Sequence, residues 1–410
     1  MSSANETVSK EIKRRRTFAI ISHPDAGKTT MTEKLLLYGG AIRLAGAVKS
    51  RKSQKYAVSD WMEIEKQRGI SVTSSVMQFN YNDYCINILD TPGHQDFSED
   101  TYRTLMAADS AVMIIDSAKG VEEQTKKLFH VCKMRGIPIF TFINKMDREG
   151  KDPYELIEEI EQVLGIRSYP MNWPIRINGS FAGIYNRKEA HVELFNSGDH
   201  GQTVVSSQKR NVEDPIFNDL LGEAAHNKLI EDVMLLNMAG DEFEIRKILK
   251  GELTPIFFGS AMTNFGVQVF LEKFLNMTTP PLSRMSDIGE ISPEREKFSA
   301  FIFKIQANMN PTHRDRIAFM RICSGKFTKG MTVNHVQENK NITLSQPQQF
   351  LAQDREIVEE AYAGDIIGVF DPGIFSIGDT LCEGTDKYRF EGIPVFAPEH
   401  FARVYTKNSL

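Results

Sequence analysis

From Phe18 to Ala261 the chain alternates short apolar runs with amphipathic stretches. The runs "FAII", "CINILDT", "AVMIIDSA", "PIFTFINKMD" and "TPIFFGSA" predict strands, and "MTEKLLLYGG", "DTYRTLMAAD" and "TKKLFHVCKMRG" predict helices. Alternation of this kind implies a parallel sheet with helices on both faces and ligand-carrying loops at the strand C-terminal ends. After Glu294 the period changes to two. "FSAFIFKIQ", "RIAFMRICSG", "GMTVNHV", "GDIIGVF" and "IGDTLCEG", separated by glycine turns, predict a small antiparallel β-barrel.

The spacing divides the chain further. The stretch between Asp147 and Gly259 is too long for one helix and its connections, so residues from about 165 to 253 read as an inserted subdomain. It opens with strand-like "MNWPIRI" and "FAGIYNR" and closes with helical "DEFEIRKILKG". The resulting plan is a basic N-terminal arm over 1–16, an α/β domain over 17–280, a Pro- and Ser-rich linker over 281–294, a barrel over 295–391, and a tail over 392–410 that reads as the start of a further domain.

Charge changes this picture little. There are 49 basic and 54 acidic residues, a net charge of −5, so any nucleic-acid partner must be met by a local patch or by shape. Arg43, Lys49, Arg51, Lys52 and Lys55 make one such patch. The run Lys10–Arg16 is expected to be a solvated arm. Cys85, Cys132, Cys323 and Cys382 lie far apart and read as reduced core residues of a cytoplasmic protein. No apolar run is long enough for a membrane span.

The chemistry sits at the predicted strand ends. "SHPDAGKTT", Ser22 to Thr30, turns through Gly27 into a helix, which places free N–H groups and a helix N-terminus around a phosphate. The loop thereby offers Ser22, His23, Pro24, Asp25, Ala26, Gly27, Lys28, Thr29 and Thr30 to a nucleotide. Lys28 reaches the β- and γ-phosphates and the Thr29 hydroxyl reaches Mg²⁺. The full phosphate-loop pattern has glycine where this chain has Ser22. "DTPGH" follows, with Asp90 toward Mg²⁺, Thr91 and Pro92 in the turn, the Gly93 N–H toward the γ-phosphate, and His94 where a water-orienting residue is needed. In "NKMD", Asn144, Lys145, Met146 and Asp147, the carboxylate of Asp147 matches the N1–H and amine donors of guanine and mismatches adenine. Asn144 can tie this loop to the phosphate loop. "GSA", Gly259, Ser260 and Ala261, is expected to turn backbone N–H groups toward the guanine O6. Between the first two motifs, "DWMEIEKQRGISVTSS" should give a hydroxyl to Mg²⁺, from Ser71 or Thr73. The fold class is therefore an α/β P-loop GTPase domain with an inserted subdomain, followed by an antiparallel β-barrel domain, with GTP/GDP and Mg²⁺ as its ligands.

"DAGKTT", "RGIS", "DTPGH", "NKMD" and "GSA", in this order and spacing with a barrel behind them, resemble the translational GTPases. Within that family "SDWMEIEKQRGISVT" and "FIFKIQANMNPTHRDRIAFMRICSGKF" are most similar to the class II release factors. The resemblance implies a ribosome-stimulated, monomeric GTPase of translation termination that removes class I release factors after peptide release. Large-subunit ribosomal RNA would be its activating partner and His94 its catalytic residue. It also implies that Ser71 takes the place of the family's Mg²⁺-binding switch threonine, that Pro24 and Ile70 flank His94, and that guanosine tetraphosphate is a possible second ligand. Elongation factor G-like translocation is the nearest alternative, and a guanine-nucleotide-switched binding module with incidental hydrolysis is another.

Overall fold

The computed structural model describes residues 2–42, 75–92, 98–177, 179–195, 207–307, 316–344, 347–351, 354–392 and 402–403. Strands β1 (Arg15–Ser22), β2 (Ser75–Tyr81), β3 (Tyr84–Asp90), β4 (Ser110–Asp116), β5 (Ile139–Asn144) and β6 (Arg167–Pro170) belong to one sheet. Strands β7 (Asn172–Ile177), β8 (Ser180–Asn186), β9 (His191–Phe195) and β10 (Ser207–Asn211) form a separate antiparallel sheet. β11 (Leu253–Phe258) then returns to the first, whose order is β2-β3-β1-β4-β5-β11-β6. Its neighbours are parallel apart from β2, which pairs antiparallel with β3.

Every residue of β1, β4, β5 and β11 is buried, which is why these strands are largely apolar. Alternate residues serve two layers. Phe18 and Ile20 pack with Met31, Leu35, Phe270 and Phe274 of the helices Lys28–Tyr38 and Val267–Met277. Ala19 and Ile21 pack with Leu105, Leu128 and Ile160 of the helices Ser98–Ala107, Glu123–Met134 and Pro153–Leu164. Local signals bound the last of these: Asp152 caps Tyr154 N, Pro153 opens the helix, and Gly165 closes it at φ +62°.

The insert begins after Pro170 and not near 165, because β6 extends the main sheet beside β11. The segment expected as a linker is folded. It contains the hairpin β12 (Arg284–Ser286) and β13 (Gly289–Ile291), and Arg284 is buried against Asp109. Beyond it come β14 (Ser299–Ala307), β15 (Arg316–Ser324), β16 (Lys326–Thr328), β17 (Thr332–His335), β18 (Lys340–Thr343), β19 (Gln348–Leu351), β20 (Asp354–Ile357), β21 (Glu360–Tyr362), β22 (Ile366–Phe370) and β23 (Thr380–Glu383). Their antiparallel sheet runs β18-β17-β23-β14-β15-β22-β19-β20, with β16 and β21 paired beside it.

Expected as a solvated basic arm, the N-terminus instead folds onto the barrel. Ser2–Lys13 is a helix whose Ile12 is buried among the barrel's apolar residues, and Ser9 Oγ donates to Glu294 Oε1 at 2.8 Å. Arg15 and Arg16 already belong to β1 and are buried. Arg15 Nε donates to Asp365 Oδ2 at 2.8 Å, and Asp365 holds the guanidinium charged against the burial that would lower its pKa.

The barrel docks where the parallel strands begin. Thr17 Oγ1 donates to Gly364 O at 2.7 Å and accepts from Arg321 Nη1 at 3.0 Å. Arg321 also pairs with Asp109, and Gln78 Nε2 donates to Asp365 Oδ1 at 2.8 Å. The opposite, C-terminal strand ends are left for the loops that carry the sequence motifs. Among the described residues no helix is long and apolar enough to cross a membrane, and all four cysteines are free and buried.

Candidate functional site

β1 ends at Ser22 and the helix Lys28–Tyr38 begins six residues later. In the turn between them Gly27 lies at φ +100°, and a Cβ there would come within 2.2 Å of Asn144 Nδ2, so both the dihedral and the space require glycine. Ser22 lacks a positive φ and is buried, with its Oγ donating to His23 O at 2.9 Å. Nothing at that position requires the glycine of the full pattern.

Lys28 is buried at the helix start and its Nζ lies 2.5 Å from Asp90 Oδ1. Asp90 closes β3 and is 2% exposed, yet its Oδ2 has no partner among the described residues. Thr91 Oγ1 donates to Ile20 O at 2.7 Å, which fixes the turn of this loop beside β1. Gly93, His94, Ile70, Ser71 and Thr73 lie outside the described residues, as do Arg43, Lys49, Arg51, Lys52 and Lys55.

Asn144 ends β5 and joins three loops. Its Nδ2 donates to Ala26 O at 2.8 Å and its Oδ1 accepts from Ala261 N at 2.9 Å. Lys145 Nζ donates to Asp25 O at 2.5 Å, Met146 is fully buried, and Asp147 presents a buried Oδ1 with no partner among the described residues. The "GSA" amides differ from expectation. Gly259 N donates to Ile143 O at 3.0 Å, Ser260 N to Phe265 O at 2.9 Å and Ala261 N to Asn144. Ile143 of β5, Phe265 and Asn144 take up all three N–H groups, so these residues hold the loop in place and do not face a base with free donors.

One polar residue at a strand end escaped the sequence reading. Asp116 closes β4, and its carboxylate accepts from Lys145 Nζ at 2.7 Å and from Ala118 N at 2.9 Å. Burial pushes its pKa upward, but the bonds from Lys145 and Ala118 outweigh this and hold it below the ordinary carboxylate value. It had the same signal as Asp90 and Asn144, a polar residue directly ending an apolar run.

The assembly can bind a polyanion and a base. Lys28, the helix N-terminus and the turn around Gly27 form its cationic side. Two buried acceptor atoms, Asp90 Oδ2 and Asp147 Oδ1, await a cation or a donor. That pair fits hydrated Mg²⁺ at one end and a base with adjacent N–H donors at the other.

The chain matches the family model of the elongation factor Tu GTP-binding domain over residues 13–280 and that of elongation factor G domain 2 over residues 297–384. It is similar to proteins named peptide chain release factor 3. That of Symbiobacterium thermophilum is 65% identical over 405 residues, which cover 99% of this chain and 76% of the relative. That of Gloeobacter violaceus is 56% identical with the same two coverages, and that of Listeria innocua is 58% identical over 98% of this chain and 77% of its own. A crystal structure of a Thermus thermophilus protein aligns with a TM-score of 0.72 over 92% of this chain. It is 23% identical and this chain spans 55% of its length, so it supports the fold alone.

Proposed function

Since the chain belongs to the translational GTPases and, within them, to the peptide chain release factor 3 family, we propose that it hydrolyses GTP on the terminating ribosome and thereby drives class I release factors off after peptide release. That it is a GTPase of translation termination follows from the family. The residue roles, the ribosomal partners and Mg²⁺ are our assignment. One observation carries it: Asp90 at the end of β3 and Asp147 just past β5 each keep a buried oxygen without a partner among the described residues, and Asp90 stands beside Lys28 at a helix N-terminus.

In this reading Asp147 accepts the N1–H and exocyclic amine of guanine, while Asn144 holds the base loop against the phosphate loop. Lys28 leaves Asp90 for the β- and γ-phosphates, and the N–H groups from Asp25 to Thr30 line the phosphate path. Thr29, Ser71 and Asp90 are the residues for Mg²⁺, which when bound neutralises phosphate charge. His94 orients the water that attacks the γ-phosphorus as the bond to the β-phosphate oxygen breaks, giving GDP and phosphate. Large-subunit ribosomal RNA would bring His94 into place. Guanosine tetraphosphate would share the base and β-phosphate contacts.

Single-turnover GTP hydrolysis with and without ribosomes tests this. Expected are slow hydrolysis by the chain alone, strong stimulation by ribosomes, and loss of that stimulation in His94→Ala with GTP affinity nearly intact. Equal stimulation of His94→Ala and the parent would remove the histidine from its role.

A further inference from the structure

Asp116 is absent from the motifs that bind nucleotide in the reading above, yet it stands at the centre of the site's scaffolding. Its Oδ2 accepts from Lys145 Nζ at 2.7 Å, and the same ammonium donates to Asp25 O at 2.5 Å. The two backbone positions joined in this way, Asp25 and Lys145, both lie at φ +67°, a left-handed conformation that non-glycine residues rarely adopt. Neither loop would hold such a residue without outside support. Asp116 itself cannot drift. Its side chain is 6% exposed, its Oδ1 accepts from Ala118 N at 2.9 Å, and its carbonyl accepts from Gly120 N at 2.8 Å, closing a tight turn after β4.

The same turn touches the phosphate loop a second time. Glu122, two residues past Gly120, lies 3.1 Å through Oε1 from His23 Nε2. The end of β4 therefore braces the phosphate loop at both of its shoulders, through Lys145 at Asp25 and through Glu122 at His23.

We propose that Asp116 is a positioning residue for guanine-nucleotide binding: through Lys145 it locks the base loop and the phosphate loop into one receptor before the nucleotide arrives. The proposal rests on the assignment of Asn144–Asp147 as the base loop. Preorganisation of this kind slows nucleotide release, because the two halves of the site cannot separate without breaking a charge-assisted pair. It leaves base choice to Asp147, which Asp116 does not touch.

Equilibrium titration and dissociation kinetics with fluorescent GDP and GTP test it on the parent, Asp116→Asn, Lys145→Met and the double variant. Asp116→Asn is expected to raise the Kd for GDP and for GTP alike by about tenfold, through faster release, as for the loss of one charged hydrogen bond. Its preference for guanine over xanthine should be unchanged, and adding it to Lys145→Met should have no further effect. A purely structural role would lower the thermal midpoint without changing the release rate. A parent that binds GDP together with an Asp116→Asn variant within about twofold of it in Kd and release rate would overturn the clamp alone, as would fully additive effects in the double variant. A parent unable to bind guanine nucleotide would overturn the base-loop assignment and the clamp with it. If Asp116→Asn fails to fold, Lys145→Met, whose ammonium is partly at the surface, decides: unchanged GDP release contradicts the proposal.

Discussion

The two ends of the parallel strands both bury aspartates, and they treat them in opposite ways. At the N-terminal ends, facing the barrel, Asp109 accepts from Arg284 and Leu282 N at Oδ1 and pairs with Arg321 at Oδ2. Asp365 accepts from Gln78 and Asn87 at Oδ1 and from Arg15 and Tyr362 N at Oδ2. At the C-terminal ends Asp90 and Asp147 each retain a buried oxygen with no partner among the described residues. The two joint aspartates are thus completed by protein, whereas Asp90 and Asp147 are not, although Asp116 at the same edge is bonded through both oxygens. A buried acceptor without a partner costs free energy, and at Asp90 and Asp147 it lies beside the loops proposed to take a nucleotide.

The contrast can be broken most severely at the joint. Asp109→Ala leaves Arg321, 1% exposed, without its counter-ion, and burial already lowers the pKa of that guanidinium. A loss of about 3–5 kcal/mol in unfolding free energy is expected, read from denaturant midpoints without nucleotide. A change below about 1 kcal/mol would mean that the joint does not depend on this pair.

At the ligand edge the expected losses are in affinity. Lys28→Ala removes the full positive charge beside the proposed phosphate site and should weaken GTP binding by about a hundredfold, the effect of one strong charged hydrogen bond. Gly27→Ala follows, because the new Cβ meets both a left-handed φ and Asn144 Nδ2. A loss of about 2–3 kcal/mol, shared between stability and GDP affinity, should appear in paired melting and titration experiments. Wild-type affinity in either variant would contradict the loop geometry.

Smaller effects sharpen the comparison. Asp116 is held below the ordinary carboxylate range, so as pH falls the unfolded chain takes up this proton before the folded one does. Its contribution to stability is complete above about pH 4 and is lost on acidification through the lowered folded value. In Asp116→Asn that part of the acid sensitivity should disappear from stability curves. Ser22→Gly should change GTP affinity by no more than about 0.5 kcal/mol, since the serine neither needs nor adopts a left-handed φ.

What could be read from the chain was what is local in sequence. The phosphate loop, "DTPGH" and "NKMD" are short segments whose chemistry is complete within a few residues, and the strands that carry them are almost wholly buried and mostly apolar. β2 was not legible in the same way. "SVMQFNY" is an antiparallel edge strand with Gln78 and Asn80 interrupting its apolar residues, and Gln78 reaches the barrel. The joint could not be read at all, since Thr17 and Asp109 meet Arg321, and Thr17 meets Gly364, across separations of 212 to 347 positions, set by the docking of two domains. The basic run Lys10–Arg16 hid the end of the N-terminal helix and the start of β1. Arginines that suggest solvent become internal when an aspartate on another domain neutralises one of them and an aromatic ring stacks on another, as Tyr84 does on Arg16.

In the function proposed above, the carboxylate of Asp147, with one oxygen unpartnered among the described residues, selects guanine. Equilibrium titration of the parent and of Asp147→Asn with GDP and with xanthosine diphosphate decides this. An amide cannot satisfy both guanine donors but can donate to the 2-oxo group of xanthine, so the variant should lose roughly 3–6 kcal/mol for GDP and come to prefer the xanthine nucleotide. Retention of guanine selectivity by Asp147→Asn would contradict the account, because the buried oxygen of Asp147 would then have no part in reading the base.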